Sequence, residues 1–207
     1  MVSKAYNWSP ELAYIVGLIA TDGCLSSDGR HIDFTSKDLE QIHNFKKILN
    51  LTNTISTKSS GSSGKRYYRI QFGDVSFYKW LQSIGLTPNK TKTIGELAVP
   101  KEYFVDFLRG HLDGDGCTYS YYDPRWPKSF LFYTTFISAS KNHMLWLASS
   151  IEAYYGIYGK VVQDNSTYRV RYAKIDSLKL LKAIYYDPKI ICLSRKREKV
   201  EKAFELC

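Results

Sequence analysis

Cysteine is scarce in this chain: Cys24, Cys117, Cys192 and Cys207 are the only four in 207 residues. None is spaced C-x-x-C, which argues against a zinc site. The four histidines, His31, His43, His111 and His143, show no ligand spacing either. No apolar run is long enough to span a bilayer, and the opening MVSKAYNWSPELAY lacks the apolar core of a signal peptide. The chain therefore reads as soluble and intracellular, with reduced thiols and no membrane partner. Acid is also in deficit. Asp and Glu number 20 against 29 Lys and Arg, a formal charge of +9. Such a balance favours a polyanionic partner. Aromatics make up 15% of the residues and tyrosine alone contributes 17. Tyrosine packs apolar surface while placing a hydroxyl on a polar ligand, so composition points to a nucleic-acid groove. A hydrophobic content of 44% supports one sizeable domain or two small ones.

Ser9-Pro10-Glu11 has the form of a helix start, with Ser as N-cap and Pro in the first turn. That helix should run to about Thr21. A strand follows over 31–35, a helix over 37–49, strands over 52–58 and 66–73, and a helix over 75–84. The order then repeats: a helix over 101–113, strands over 117–122 and 130–139, a helix over 143–155, strands over 158–164 and 167–173, and helices over 176–185 and 193–206. YYRIQFGDVSFYKWLQSIGLTPNKT at 67–91 lies over TYRVRYAKIDSLKLLKAIYYDPKII at 167–191. Ser36-Lys37 lies over Ser140-Lys141, and Asp22-Gly23-Cys24 over Asp115-Gly116-Cys117. An internal repeat of this kind governs the fold. The expected class is α/β (α+β), with two copies of αββαββα and domains over 1–97 and 98–207.

Each copy ends its first helix in Asp-Gly. Ala13, Gly17, Ala20 and Thr21 lie near one face of the first helix, and Gly110 and Gly114 are four apart in the second. Small residues let two helix backbones approach closely. Packed along a pseudo-twofold axis, the helices bring Asp22 and Asp115 together at one end. Two adjacent carboxylates repel unless a cation lies between them. Hard oxygen ligands with room for water suit Mg²⁺, and with a phosphate bound this is a layout for phosphodiester hydrolysis.

IVGLIATDG at 15–23 and LRGHLDGDG at 108–116 resemble the nine-residue motif of the LAGLIDADG homing endonucleases. The resemblance covers nearly the whole chain. It implies a monomer of two pseudo-symmetric domains whose antiparallel sheets form a saddle in the major groove of double-stranded DNA. It implies site-specific cleavage of both strands across the minor groove, leaving 3′ overhangs, by an enzyme encoded within an intron or standing free. The chain has no splicing-type cysteine or serine junction of an intein. The metal-binding acid falls at Asp22 and Asp115, with the carbonyls of Thr21 and Gly114 as further ligands. Mn²⁺ is expected to substitute for Mg²⁺, and Ca²⁺ to bind without supporting cleavage. The sixth motif position is Ala20 in one copy and Asp113 in the other, so Asp113 reads as helix-end structure. The family also places a lysine near each scissile phosphate. Lys90 and Lys196 match, with Lys92 and Lys199 as neighbouring alternatives, and a lysine there supports phosphorane-like charge.

Strand alternation puts Tyr67, Arg69 and Gln71 on one face, with Arg169 and Arg171 at matching places in the second copy. Arg reads guanine and Gln adenine in the major groove, so the expected target is long and asymmetric. Arg30, Lys58, Lys65, Arg125, Lys128 and Lys160 lie in or near loops that reach phosphates. GSSGKR at 61–66 resembles a phosphate loop but joins two strands and lacks the needed spacing. His111 is expected to be packed, and Cys24 and Cys117 to pack as small apolar residues. Two rival readings remain within the same fold: an RNA maturase, and a non-cleaving DNA-binding regulator, which retention of both acids disfavours.

Overall fold

The computed structural model describes residues 5–59 and 66–206. Helix α1 (Pro10–Asp22) starts where the sequence places it: Ser9 accepts a hydrogen bond from the Leu12 amide at 3.1 Å. Strands β1 (Gly23–Leu25) and β2 (His31–Ser36), helix α2 (Leu39–Ile48), strands β3 (Ser56–Ser59) and β4 (Arg66–Gly73), and helix α3 (Val75–Ser83) complete the first run. The second run is α4 (Phe104–Asp113), β5 (Cys117–Asp123), β6 (Trp126–Ser138), α5 (Lys141–Tyr155), β7 (Lys160–Asp164), β8 (Thr167–Tyr172) and α6 (Lys174–Ile184). A charged helix, α7 (Ser194–Glu205), follows it. Two single-turn 3-10 helices, Lys90–Lys92 and Lys101–Tyr103, lie between the runs.

Each run makes one four-stranded antiparallel sheet, in the orders β1-β2-β4-β3 and β5-β6-β8-β7. The registers match throughout: Cys24 faces Asp33, which faces Gln71, and Cys117 faces Thr135, which faces Arg171. One face of each sheet is buried through Ile32, Phe34, Ile70 and Phe72, and through Phe132, Phe136, Val170 and Tyr172. The opposite face is open.

At the centre, α1 and α4 pack side by side, and both are buried nearly all round, from Leu12 to Ala20 and over most of α4. α1 is apolar on nearly every side, as a core helix is, whereas α4 buries Asp106 paired with Arg109, His111 against His143, and Asp113. The seam is made by glycine. A Cβ on Gly17 would lie 2.2 Å from the Phe107 carbonyl oxygen, and one on Gly110 2.0 Å from that of Tyr14. The backbones therefore touch, and no side chain fits between them.

Several details differ from the sequence reading, among them the start of β6 at Trp126 rather than 130, where Trp126 pairs with Asp123 across a tight turn. β1 is a strand too short to show alternation. β3 begins at Ser56 rather than 52, because the Asn53 side chain, not backbone, bonds the Gln71 carbonyl at 3.1 Å. Cys24 and Cys117 are exposed rather than packed. Each follows a buried glycine at a strand start, and alternation turns it to the open face.

Candidate active site and nucleic-acid interface

Because α1 and α4 are aligned by their glycines, both motifs end at the same place. Asp22 and Asp115 line one cavity of about 440 Å³, together with Lys37, Asp113, Arg195, Lys196 and Lys199. Burial raises the Asp22 carboxyl to about 7, and the neighbouring Asp115 charge adds to the rise, against the pull of Lys196, Lys90 and Lys37. Asp115 meets solvent more openly. Protein crowded around it still raises its carboxyl, opposed by Lys196 and Lys90. Two carboxylates lining one cavity, with the Asp115 charge raising Asp22, form a site poised for a cation.

The lysines take up related positions. Lys90, in the 3-10 turn after α3, is 5% exposed and donates to the Gly23 carbonyl at 2.7 Å. Lys196, in the first turn of α7, shares its three N–H donors among the carbonyls of Leu112, Asp113, Gly114 and Gly116 at 2.5, 2.9, 3.1 and 2.7 Å. Gly23 and Gly116 are the last residues of the two motifs, so each motif turn is capped by a lysine. Burial pushes Lys196 down to about 8, although Asp113 and Asp22 favour its charge. Burial lowers Lys90 too. The alternatives Lys92 and Lys199 are exposed, Lys199 at the cavity's rim. The Gly114 carbonyl is already engaged by Lys196. The Thr21 hydroxyl bonds back to the Gly17 and Leu18 carbonyls within its helix.

Asp113 is structural, though not as a cap of its own helix. It is buried, and one carboxylate oxygen accepts from the Tyr14 hydroxyl at 2.9 Å and from the Leu193 amide at 2.7 Å. Leu193 immediately precedes α7. The acid thus ties α4 to α1 and to the start of the helix that carries Lys196. Burial lifts its carboxyl to about 6 against the pull of Lys196. Arg195 makes a bidentate bond to Asp38 at 2.8 and 2.6 Å, and Ser194 bonds Glu40, pinning α7 across to the first run. Local sequence gave no sign of these ties, since each joins residues far apart in the chain. His111 is packed, as its helix position implied. It meets His143 with 3.2 Å between Nε2 atoms, and His143 Nδ1 donates to Gly95 at 2.7 Å.

On the open sheet faces, Tyr67, Arg69 and Gln71 point outward from β4, and Arg169 and Arg171 from β8. Lys58 on β3 and Lys160 on β7 are exposed, opposite Tyr67 and Arg171. Arg30, Arg125 and Lys128 are exposed at strand-connecting turns or the strand end beside them. Lys65 lies outside the described residues. The sequence reading missed the carboxylates. Arg69 is paired to Asp33 and Arg169 to Asp164. Arg125 is held by Asp123 at 2.9 Å. Arg171 pairs with no carboxylate among the described residues. It lies 5.2 Å over the Tyr133 ring and reaches the Tyr119 hydroxyl at 3.4 Å. A cross-strand aspartate was findable from register, but only once the pairing was known.

No group of three or more His, Cys, Asp or Glu that could hold a metal unaided occurs among the described residues. The acid pair fits a hard cation only if water or a phosphate completes its shell, which is how Mg²⁺ usually binds. No helix among the described residues is long and apolar enough to cross a membrane.

Residues 9–85 match the family model of a LAGLIDADG-like domain. No curated protein matches the chain. Among solved structures, the homing endonuclease I-WcaI bound to its DNA recognition sequence aligns with TM-score 0.67 and 12% identity, over 93% of this chain and 88% of that one. Full-length DUF199/WhiA from Thermatoga maritima aligns with TM-score 0.59 and 18% identity, over 98% of this chain and 63% of that one. This chain thus spans less than two thirds of that protein. I-DmoI in complex with DNA and Mn aligns with TM-score 0.56 and 15% identity, over 87% and 99%. At these identities the structural likeness establishes the fold. Residues 9–85 thus match a LAGLIDADG-like domain, and the chain has the two-sheet fold seen in I-WcaI and I-DmoI.

Proposed function

We propose that the chain is a site-specific endonuclease that hydrolyses duplex DNA with a divalent metal, each half of the chain, 1–97 and 98–207, addressing one half of a long asymmetric target. The observation that carries this reading is the convergence of Asp22 and Asp115 in one cavity, with a lysine fixed on each motif turn. I-WcaI bound to DNA and I-DmoI bound to DNA and Mn share the fold and support it.

In this reading Asp22 and Asp115 hold Mg²⁺ or Mn²⁺. The ion, when bound, neutralises phosphate oxygens and makes water more acidic. Deprotonated Asp22 and Asp115 keep the site anionic enough to draw the cation against the surrounding lysines. Lys196 spends its protons on backbone carbonyls. It therefore serves as fixed positive charge beside the phosphorane rather than as a proton donor. Lys90 does the same for the other motif turn. The open sheet faces lie along the major groove, and the exposed Arg30, Lys58, Arg125, Lys128 and Lys160 meet phosphates.

A cleavage selection on a randomised duplex library in Mg²⁺, beside Ca²⁺, tests the reading. One long asymmetric site cut in Mg²⁺ alone is the expected result. Folded protein that selects a sequence yet never cuts it would make the chain a DNA-binding regulator. Tight binding to intron RNA in place of DNA would make it a maturase.

A further inference from the structure

The two open faces match in register but not in chemistry. On the second sheet, Tyr119, Tyr121, Leu131, Tyr133, Ile137 and Val162 all point outward. Tyr119 and Tyr121 are 37% and 45% exposed, and the others are partly exposed. At the places of Tyr133, Ile137 and Val162 the first sheet carries His31, Thr35 and Ser56. Two equivalent positions thus carry an aliphatic side chain in place of a hydroxyl, and a third carries a tyrosine ring in place of an imidazole. The rings are ordered: Tyr133 stacks with Tyr119 at 5.1 Å and with Tyr121 at 6.3 Å between centroids, each at 20°. Arg171 lies over Tyr133.

Tyr119, Tyr121, Leu131 and Tyr133 are neighbours in this register and form one cluster, with Ile137 and Val162 set apart by Arg169, and such an exposed cluster marks a binding surface. Its occupant follows from its place. β5 starts directly after the motif containing Asp115, so the patch continues the catalytic cavity along the same strand. Arg171 in its midst supplies charge for an anionic polymer. In the major groove, base pairs present only one apolar group, the 5-methyl of thymine. The stacked rings have hydroxyls engaged within the cluster, Tyr119 with Arg171 and Tyr121 with Tyr133, which leaves ring surface to meet such methyls. Tyr119 and Tyr121 are alternate strand residues, about 7 Å apart along the strand, close to two base-pair steps.

We infer that the second sheet selects its half-site through thymine methyl groups, whereas the first sheet reads hydrogen-bonding edges. This rests on the proposal that the chain binds duplex DNA in the major groove. The test uses the site recovered from a randomised duplex, resynthesised with uracil for thymine in one half or the other. Uracil keeps every hydrogen-bonding group and removes only the methyl. Gln71→Ala, which relaxes the first sheet's half, fixes the orientation. Uracil in the second sheet's half should weaken binding about fourfold per contacted methyl, and uracil in the other half should leave it unchanged. Tyr119→Ser/Tyr121→Ser should abolish the uracil effect. Selective binding that is indifferent to uracil in both halves, or sensitive only in the first sheet's half, would overturn the inference while leaving the duplex-binding reading intact. Absence of any sequence-selective duplex binding would instead overturn that reading.

Discussion

The two halves of the molecule are alike where backbone and charge leave no choice, and unlike where a ligand would be read. Gly17 and Gly110 stand at the seam from opposite sides, Asp22 and Asp115 end both motifs, and Lys90 and Lys196 cap both turns. Away from that axis the halves diverge. Lys90 is buried, whereas Lys196 lines an open cavity flanked by Lys37, Arg195 and Lys199. The sixth motif position is Ala20 in one half and the tethering Asp113 in the other. One open face carries the Asp33–Arg69 pair and Gln71, the other stacked tyrosines under Arg171. The two copies thus share the acids, lysines and glycines at the axis and differ on their open sheet faces.

The largest effect should come from removing a shared element. Asp115→Asn should cut double-strand cleavage by a factor of about 10³ or more, the scale on which lost charge stabilisation acts, while duplex binding by gel shift persists. Next, Gly110→Ala places a methyl against the Tyr14 carbonyl and should cost about 3 kcal/mol or prevent folding. Thermal denaturation followed by circular dichroism measures it, and an unchanged midpoint would show that the helices do not meet as described.

Asp113 sharpens the comparison, since the other half manages with alanine. Asp113→Leu should lower stability by about 2–4 kcal/mol, because it removes the acceptor of the Tyr14 hydroxyl and the Leu193 amide. Strand-specific cleavage assays should show the greater loss at the phosphate nearest Lys196, whose helix it anchors. Equal loss on both strands would detach Asp113 from that lysine.

The pH dependence carries its own sign. Burial pushes the Asp22 carboxyl up to about 7 in the fold, against 3.8 ordinarily. Between about pH 4 and 7 the folded carboxyl holds a proton that the unfolded chain has released. Metal-free stability therefore falls as pH rises through that window, and the penalty is complete above 7. Asp22→Asn should raise the stability of metal-free protein by about 1–2 kcal/mol at pH 8 and change it little at pH 4. Mg²⁺ binding, which competes with that proton, should be weaker at pH 6 than at pH 8 by calorimetry.

The repeat, the element order and the acid pair were legible in the sequence because they rest on local signals. Ser9-Pro10 starts α1, strict alternation marks β4 and β8, and two Asp-Gly ends sit in equivalent places. The short β1, the carboxylates facing Arg69 and Arg169, and the outward turn of Cys24 and Cys117 were not legible. Each depends on pairing register, which only the assembled sheet supplies. The role of Asp113 was hidden for a related reason: its partners Tyr14 and Leu193 come from the two ends of the chain.

The central claim is that Asp22 and Asp115 together form a metal site for cutting DNA. The direct measurement is cutting and binding of the selected duplex in Mg²⁺ by the native chain and by Asp22→Asn/Asp115→Asn, side by side. The account predicts full loss of cutting by the double variant, with binding retained. Cutting that survives in the double variant would contradict it.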